Sequence, residues 1–156
     1  MARKIALDQL AARPRSAHEL RAALARRNVP GDVADEIMER FTEVGLIDDE
    51  AFAAALTTTR ATVAHRGRHR IRQELQAKGV DREVAEAALA ELDPEAEAEA
   101  ALELARKRAR SMASLEPHVA RRRLAGVLAR RGFPSSVVSA AVEEALSSVE
   151  FSTGQE

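Results

Sequence analysis

The chain has no cysteine, no tryptophan and no tyrosine, and only four phenylalanines among 156 residues. Without cysteine there are no disulfides and no thiolate metal sites, which suits a reducing compartment and makes the cytoplasm the expected location. So few aromatics argue against base stacking as the way to hold a single strand. They also mean that the core is built from Leu, Val, Ile and Ala, and is thin, because Ala buries little area. No apolar run approaches the roughly 20 residues that cross a membrane. Behind Arg3 and Lys4, Asp8 and Gln9 interrupt the place where a signal peptide would need its apolar region. A glycine-rich nucleotide loop, an HExxH pattern and a Ser/His/Asp arrangement are all missing. No enzyme activity, cofactor or metal is therefore expected. His65 and His69 are four apart, but Gly67 lies between them and no third ligand stands near.

Charge is plentiful but segregated. The formal net charge is −1. Residues 1–31, 60–80 and 104–131 are basic, whereas 32–59, 81–103 and 132–156 are acidic. Three alternations suggest a unit built three times.

Helix signals follow in order. A helix over Ile5 to Ala12 ends before Pro14. Ser16 and Glu19 form a capping box for the next, with Leu20 and Leu24 inward. Asn28 suits the left-handed residue that closes it, and Pro30 forbids continuation. The spacing predicts a helix from Asp32 to Glu43 with Val33, Ile37, Phe41 and Val44 on one face, closed by Gly45. Asp48 or Asp49 caps the next helix, whose apolar face is Phe52, Leu56 and Val63 and which Gly67 is expected to stop. Thr57, Thr58 and Thr59 weaken its centre. A basic helix follows, carrying Arg68, Arg70 and Arg72 with Ile71 and Leu75 beneath, capped by Gly79 and Val80.

Asp81 can cap a helix through Leu92, with Val84, Ala88 and Leu92 inward. Asp93-Pro94-Glu95 is a strong helix start. The helix it opens ends in bases and buries Ala98, Leu102, Ala105, Ala109 and Met112. Ser114 to Pro117 breaks it. A second basic helix runs from His118 to Arg131, with Leu124 and Leu128 inward, closed by Gly132 and Pro134. A last helix covers Ser136 to Ser147, and Phe151 to Glu156 reads as a frayed end.

Nine helices sort into three trios. The second helices overlay: Leu20 and Leu24 on Ile71 and Leu75 and on Leu124 and Leu128; Arg27 on Lys78 and Arg131; Asn28 on Gly79 and Gly132; Val29 on Val80 and Phe133. Three matched breaker positions mark an internal repeat. The expected fold is all-α: three tandem three-helix repeats, 1–46, 47–92 and 93–148, with 149–156 a flexible tail, forming an elongated, curved module.

Two explanations compete for the basic second helices. They can pair with the acidic third helices as solvated ion pairs, each worth little. Alternatively they form a ridge against a polyanion, whose binding would weaken with salt. Arg66, Arg68, Arg70 and Arg72, and the run Arg121, Arg122 and Arg123, favour the ridge, because they spread charge around more of the helix than one acidic neighbour can meet. Arg60 and Lys78 extend the candidate set.

The run Gly45-Leu46-Ile47-Asp48-Asp49, then Phe52-Ala53 and Arg60, resembles the signature of RecX regulatory proteins. Gly67, Arg70-Ile71-Arg72-Gln73-Glu74-Leu75 and Lys78-Gly79-Val80 continue it. Leu10-Ala11, Arg13, Ser16, Glu19-Leu20-Arg21 and Leu24 match as well. In this resemblance Asp48, Asp49, Phe52, Gly67, Ile71, Leu75 and Gly79 are structural motif positions. The resemblance implies a monomer that binds the RecA recombinase and its DNA filament. It further implies restraint of RecA ATP hydrolysis, strand exchange and coprotease activity by blocking filament growth, with weak direct DNA binding. The other readings are a helix-turn-helix-like DNA-binding regulator acting without RecA and a purely structural α-solenoid scaffold.

Overall fold

A computed structural model describes residues 1–151; of the flexible tail expected over 149–156, residues 152–156 lie outside the described residues. Among the described residues the chain forms nine α-helices and no strand. They are α1 (Ala2–Ala12), α2 (Ala17–Arg26), α3 (Gly31–Glu43), α4 (Asp49–Thr62), α5 (Arg68–Ala77), α6 (Arg82–Ala90), α7 (Pro94–Ala109), α8 (Pro117–Arg130) and α9 (Ser135–Ser147). A short 3-10 turn over Arg110–Met112 prolongs α7.

The second helix of each trio is the most regular part. Leu20, Leu24, Ile71, Leu75, Leu124 and Leu128 are all fully buried. At about 1.5–3 kcal/mol for each such side chain, these pairs anchor their surroundings. Each of these helices ends the same way. Asn28 (φ 60°), Gly79 (φ 74°) and Gly132 (φ 96°) take the left-handed conformation. Their N–H groups donate to the carbonyls of Ala25, Gln76 and Ala129, all at 3.0 Å. The next residues, Val29, Val80 and Phe133, donate to Leu24, Leu75 and Leu128 at 3.0, 3.1 and 3.3 Å. Both bonds of a Schellman cap are thus made three times.

The helices pack into two compact units: residues 1–56 with 73–90, and 57–72 with 91 onward. The division cuts α4 and α5, so the middle trio contributes to both. The first unit has a core of Ala6, Leu20, Leu24, Ala34, Ile37, Met38, Phe41 and Ile47. The core of the second is rich in alanine. Ala101, Ala105 and Ala109 of α7 and Ala141 and Ala145 of α9 are buried there, and small side chains let these two helices approach closely.

Each unit contains the same kind of junction, between the start of one second helix and the cap of another. In the first unit, the Ser16 hydroxyl donates to the Lys78 carbonyl at 2.6 Å, and Lys78 Nζ reaches Glu19 Oε2 at 3.3 Å. Ser16 also accepts the Glu19 N–H at 3.1 Å, completing the expected capping box. In the second unit, Gly67 holds the overlay position of Ser16. Its N–H donates to the Arg131 carbonyl at 2.8 Å, and the His69 N–H donates to the Gly132 carbonyl at 3.0 Å. A Cβ on Gly67 would lie 2.4 Å from the Gly132 carbonyl carbon.

Several apolar faces differ from the expectation. Val44 is 56% and Val63 73% exposed, because α3 and α4 end before them and the helical period no longer applies. Thr57 is buried where Val63 was expected to help close the face, and Leu56 is only half-buried. On α6 the inward residues are Ala85 and Leu89, one place on from Val84 and Ala88, and Leu92 lies beyond its end. On α7 Ala98 is exposed, Leu102 half-buried, and Ala101 and Leu104 are buried. Gly67 does not stop α4: that helix ends at Thr62, and the left-handed residue after it is His65 (φ 51°).

The Glu19 carboxylate is partly buried, which disfavours its charge. The Arg13 guanidinium, the Ser16 N–H and Lys78 outweigh this and hold its pKa below the ordinary 4.5. A lowered folded pKa contributes stability that is complete above the unfolded value and is lost as pH falls through the folded one. Glu19→Gln is therefore expected to flatten the loss of thermal stability below about pH 4.5, as measured by circular dichroism melts across pH.

Candidate functional site

Most of the candidate basic residues lie in the second unit, and they do not behave alike. Arg68 opens α5. Its Nε meets Glu97 Oε1 and its N–H meets Glu97 Oε2, both at 3.0 Å. The Glu97 side chain is only 7% exposed, so Arg68 holds α7 against the start of α5. Arg121 pairs with Glu143 across α8 and α9, as Arg21 pairs with Asp35 across α2 and α3 at 2.6 Å. These are the second-to-third helix pairs expected from the charge blocks, exposed and each worth about 0.2–1 kcal/mol.

Arg122 and Arg123 stand exposed on α8, Arg122 on the side opposite buried Ala120 and Leu124 and Arg123 flanking that buried face. Arg70 is exposed on α5. Arg72 is half-buried, with a guanidinium nitrogen 3.0 Å from His69 Nδ1. A guanidinium only donates, so His69 Nδ1 is the acceptor of this bond. Arg60 is half-buried near the end of α4, and its carbonyl accepts the Arg66 N–H at 3.0 Å. Lys78 belongs to the first unit, engaged with Glu19.

The acidic motif pair divides its labour. Asp48 caps α4, its Oδ1 accepting the Ala51 N–H at 3.1 Å. Asp49 Oδ1 accepts the Ala17 N–H at 2.8 Å and so ties α4 to the start of α2. Phe52 is buried beside them. Among the described residues no three His, Asp or Glu side chains gather to hold a metal ion.

Among the described residues, two clefts of the second unit bear on the site. One of about 700 Å³ is lined by charges of both signs, including Glu97, Glu103 and Arg106. The other, about 420 Å³, is lined by Arg66, Arg70, Arg108, Arg130 and Arg131, with Ala64 and Val127 as its apolar walls. Arg108, Arg130 and Arg131 were not among the residues expected at a site. The one signal in the sequence was the overlay of Arg131 on Arg27 and Lys78; Arg108 and Arg130 read as bases that complement a helix C-terminus.

Comparison with known proteins gives a consistent picture. Models of the first, second and third three-helix domains of RecX match residues 2–41, 48–89 and 95–142. The chain is 38% identical over 145 residues to a regulatory protein RecX of Streptomyces coelicolor, covering 93% of this chain and 77% of that protein. It is 43% identical over 140 residues to one of Mycolicibacterium smegmatis, covering 87% and 74%. A crystal structure of RecX from Lactobacillus salivarius superimposes with a TM-score of 0.85 over 92% of this chain and 94% of that one, at 23% identity, which bears on the fold. A second, of a regulatory protein RecX, gives 0.83 over 91% and 70% at 28% identity.

Proposed function

Because the chain belongs to the RecX family of regulatory proteins, we propose that it binds the RecA recombinase and its DNA filament and restrains them. It acts by stoichiometric binding, as a cytoplasmic monomer, lying along the filament groove and blocking extension. ATP hydrolysis, strand exchange and coprotease activity fall together, since all three need an extended filament. The observation that carries this reading is the match of all three family domains on a chain whose α8 turns Arg122 and Arg123 outward. Charges of that kind suit an anionic filament surface and make binding depend on salt.

Arg68 contributes differently from the exposed arginines. Its removal would strand a nearly buried Glu97 carboxylate, so its loss is expected to cost stability before it costs contact. The discriminating variant is Arg122→Ala/Arg123→Ala. It is expected to keep the wild-type melting temperature and to need several-fold more protein for half-inhibition of RecA ATPase on single-stranded DNA. Inhibition identical to wild type at low ionic strength would remove these two residues from the interface.

A further inference from the structure

The smaller of the two clefts gathers five arginines, and four of them have no carboxylate partner among the described residues. Arg66 comes from the loop before α5, Arg70 from α5, Arg108 from the last turn of α7, and Arg130 and Arg131 from the end of α8. No carboxylate lines the cleft among the described residues.

The simplest structural explanation is that bases at helix C-termini complement the macrodipole, worth about half a charge per end. That need is already met at α8. Its end is closed by the Schellman bonds, the Arg131 and Gly132 carbonyls accept the N–H groups of Gly67 and His69, and the N-terminus of α5 brings the opposite partial charge. Nor are carboxylates in short supply nearby. Arg68 is paired with Glu97, Arg106 with Glu144 and Arg121 with Glu143. Arg70, Arg108, Arg130 and Arg131 have no carboxylate within 4.0 Å among the described residues. Arg131 is instead fixed at the wall by a guanidinium bond to the Ala64 carbonyl at 2.9 Å. Its remaining donors stay available.

We propose that this cleft is a phosphate seat that grips the sugar-phosphate backbone of DNA. All its cations are arginines, whose planar forks match phosphate oxygens two at a time. No aromatic lines it among the described residues, so it reads charge and spacing rather than bases. Among the described residues Ala64 and Val127 are the only apolar contacts on offer, too few to reward an acidic peptide with buried side chains. The inference deepens the DNA half of the proposed function and rests on that reading for its partner. It is therefore tested without RecA, so that the two can fail separately.

The probe is a fluorescent oligo-dT, with anisotropy read across a salt series for the full chain and for Arg70→Gln/Arg130→Gln. Both residues are exposed and glutamine keeps most of the stem, so the fold is expected to survive. Relief of repulsion should leave the melting temperature at or above wild type in low salt. Affinity is expected to fall at least about tenfold. The slope of log affinity against log salt should become shallower by about 1.4, at roughly 0.7 per lost single-strand phosphate contact. Unchanged affinity and slope would overturn the proposal. So would loss of polyglutamate binding, or of thermal protection by inorganic phosphate, with oligo-dT binding intact; those would mark an acidic-protein site or a small-anion site. If wild-type protein fails to inhibit RecA while the double variant loses oligo-dT, the phosphate seat stands and the RecA reading falls.

Discussion

Gly132→Ala is expected to destabilise the protein by about 3 kcal/mol, combining left-handed strain with overpacking. Two independent features of that residue add. Its φ of 96° disfavours any side chain, and a Cβ would lie 2.3 Å from the Arg70 backbone nitrogen. Backbone cannot swing aside as a flexible side chain can, so α5 would have to separate from the cap of α8. Two other glycines isolate the terms. Gly45 has φ +79° but open space around its Cβ direction, so Gly45→Ala carries the strain alone, about 1–2 kcal/mol. Gly31 opens α3 with nothing within 4 Å and no positive φ, so Gly31→Ala should be neutral or slightly stabilising. Without tryptophan or tyrosine, far-ultraviolet circular dichroism during thermal or urea unfolding is the suitable readout. Gly132→Ala losing no more than Gly45→Ala would contradict the close-approach account.

The second large effect is Leu124→Ala, expected to cost about 2–5 kcal/mol. Leu124 is fully buried in the alanine-rich core of the second unit. A thin core holds few large side chains, so each one removed leaves a void that neighbouring alanines are too short to fill. Leu20 and Ile71 hold the matching place in their own trios and are equally buried, so Leu20→Ala should cost a similar amount. Leu7→Ala, at a position 42% exposed, should cost under about 1 kcal/mol. A loss for Leu124→Ala as small as that for Leu7→Ala would refute the core assignment.

Features fixed by local chain conformation were legible in the sequence. The Ser16–Glu19 capping box, the left-handed Asn28, Gly79 and Gly132, and the six inward residues of the second helices are determined within one or two turns. Faces extrapolated past a helix end were not, as Val44 and Val63 show. Periodicity says which side a residue would take if the helix continued, and nothing about whether it continues. Gly67 was legible as special but not for its reason. It resembled a helix stop, yet its constraint is the backbone of Gly132 and Phe133, more than sixty residues away. The basic residues divided along the same line. Alternating charge blocks offered pairing of second with third helices as one of two explanations, and it holds at Arg21–Asp35 and Arg121–Glu143. They could not foretell that Glu97 would claim Arg68, or that Arg108 and Arg130 would converge with Arg70.

The most direct test of the proposed function is a titration of wild-type protein into RecA hydrolysing ATP on single-stranded DNA, repeated as ionic strength rises. Hydrolysis should fall to a low plateau at low salt, with the half-inhibiting concentration rising steadily as salt screens the basic face. RecA activity that stays level throughout the low-salt titration would contradict the account.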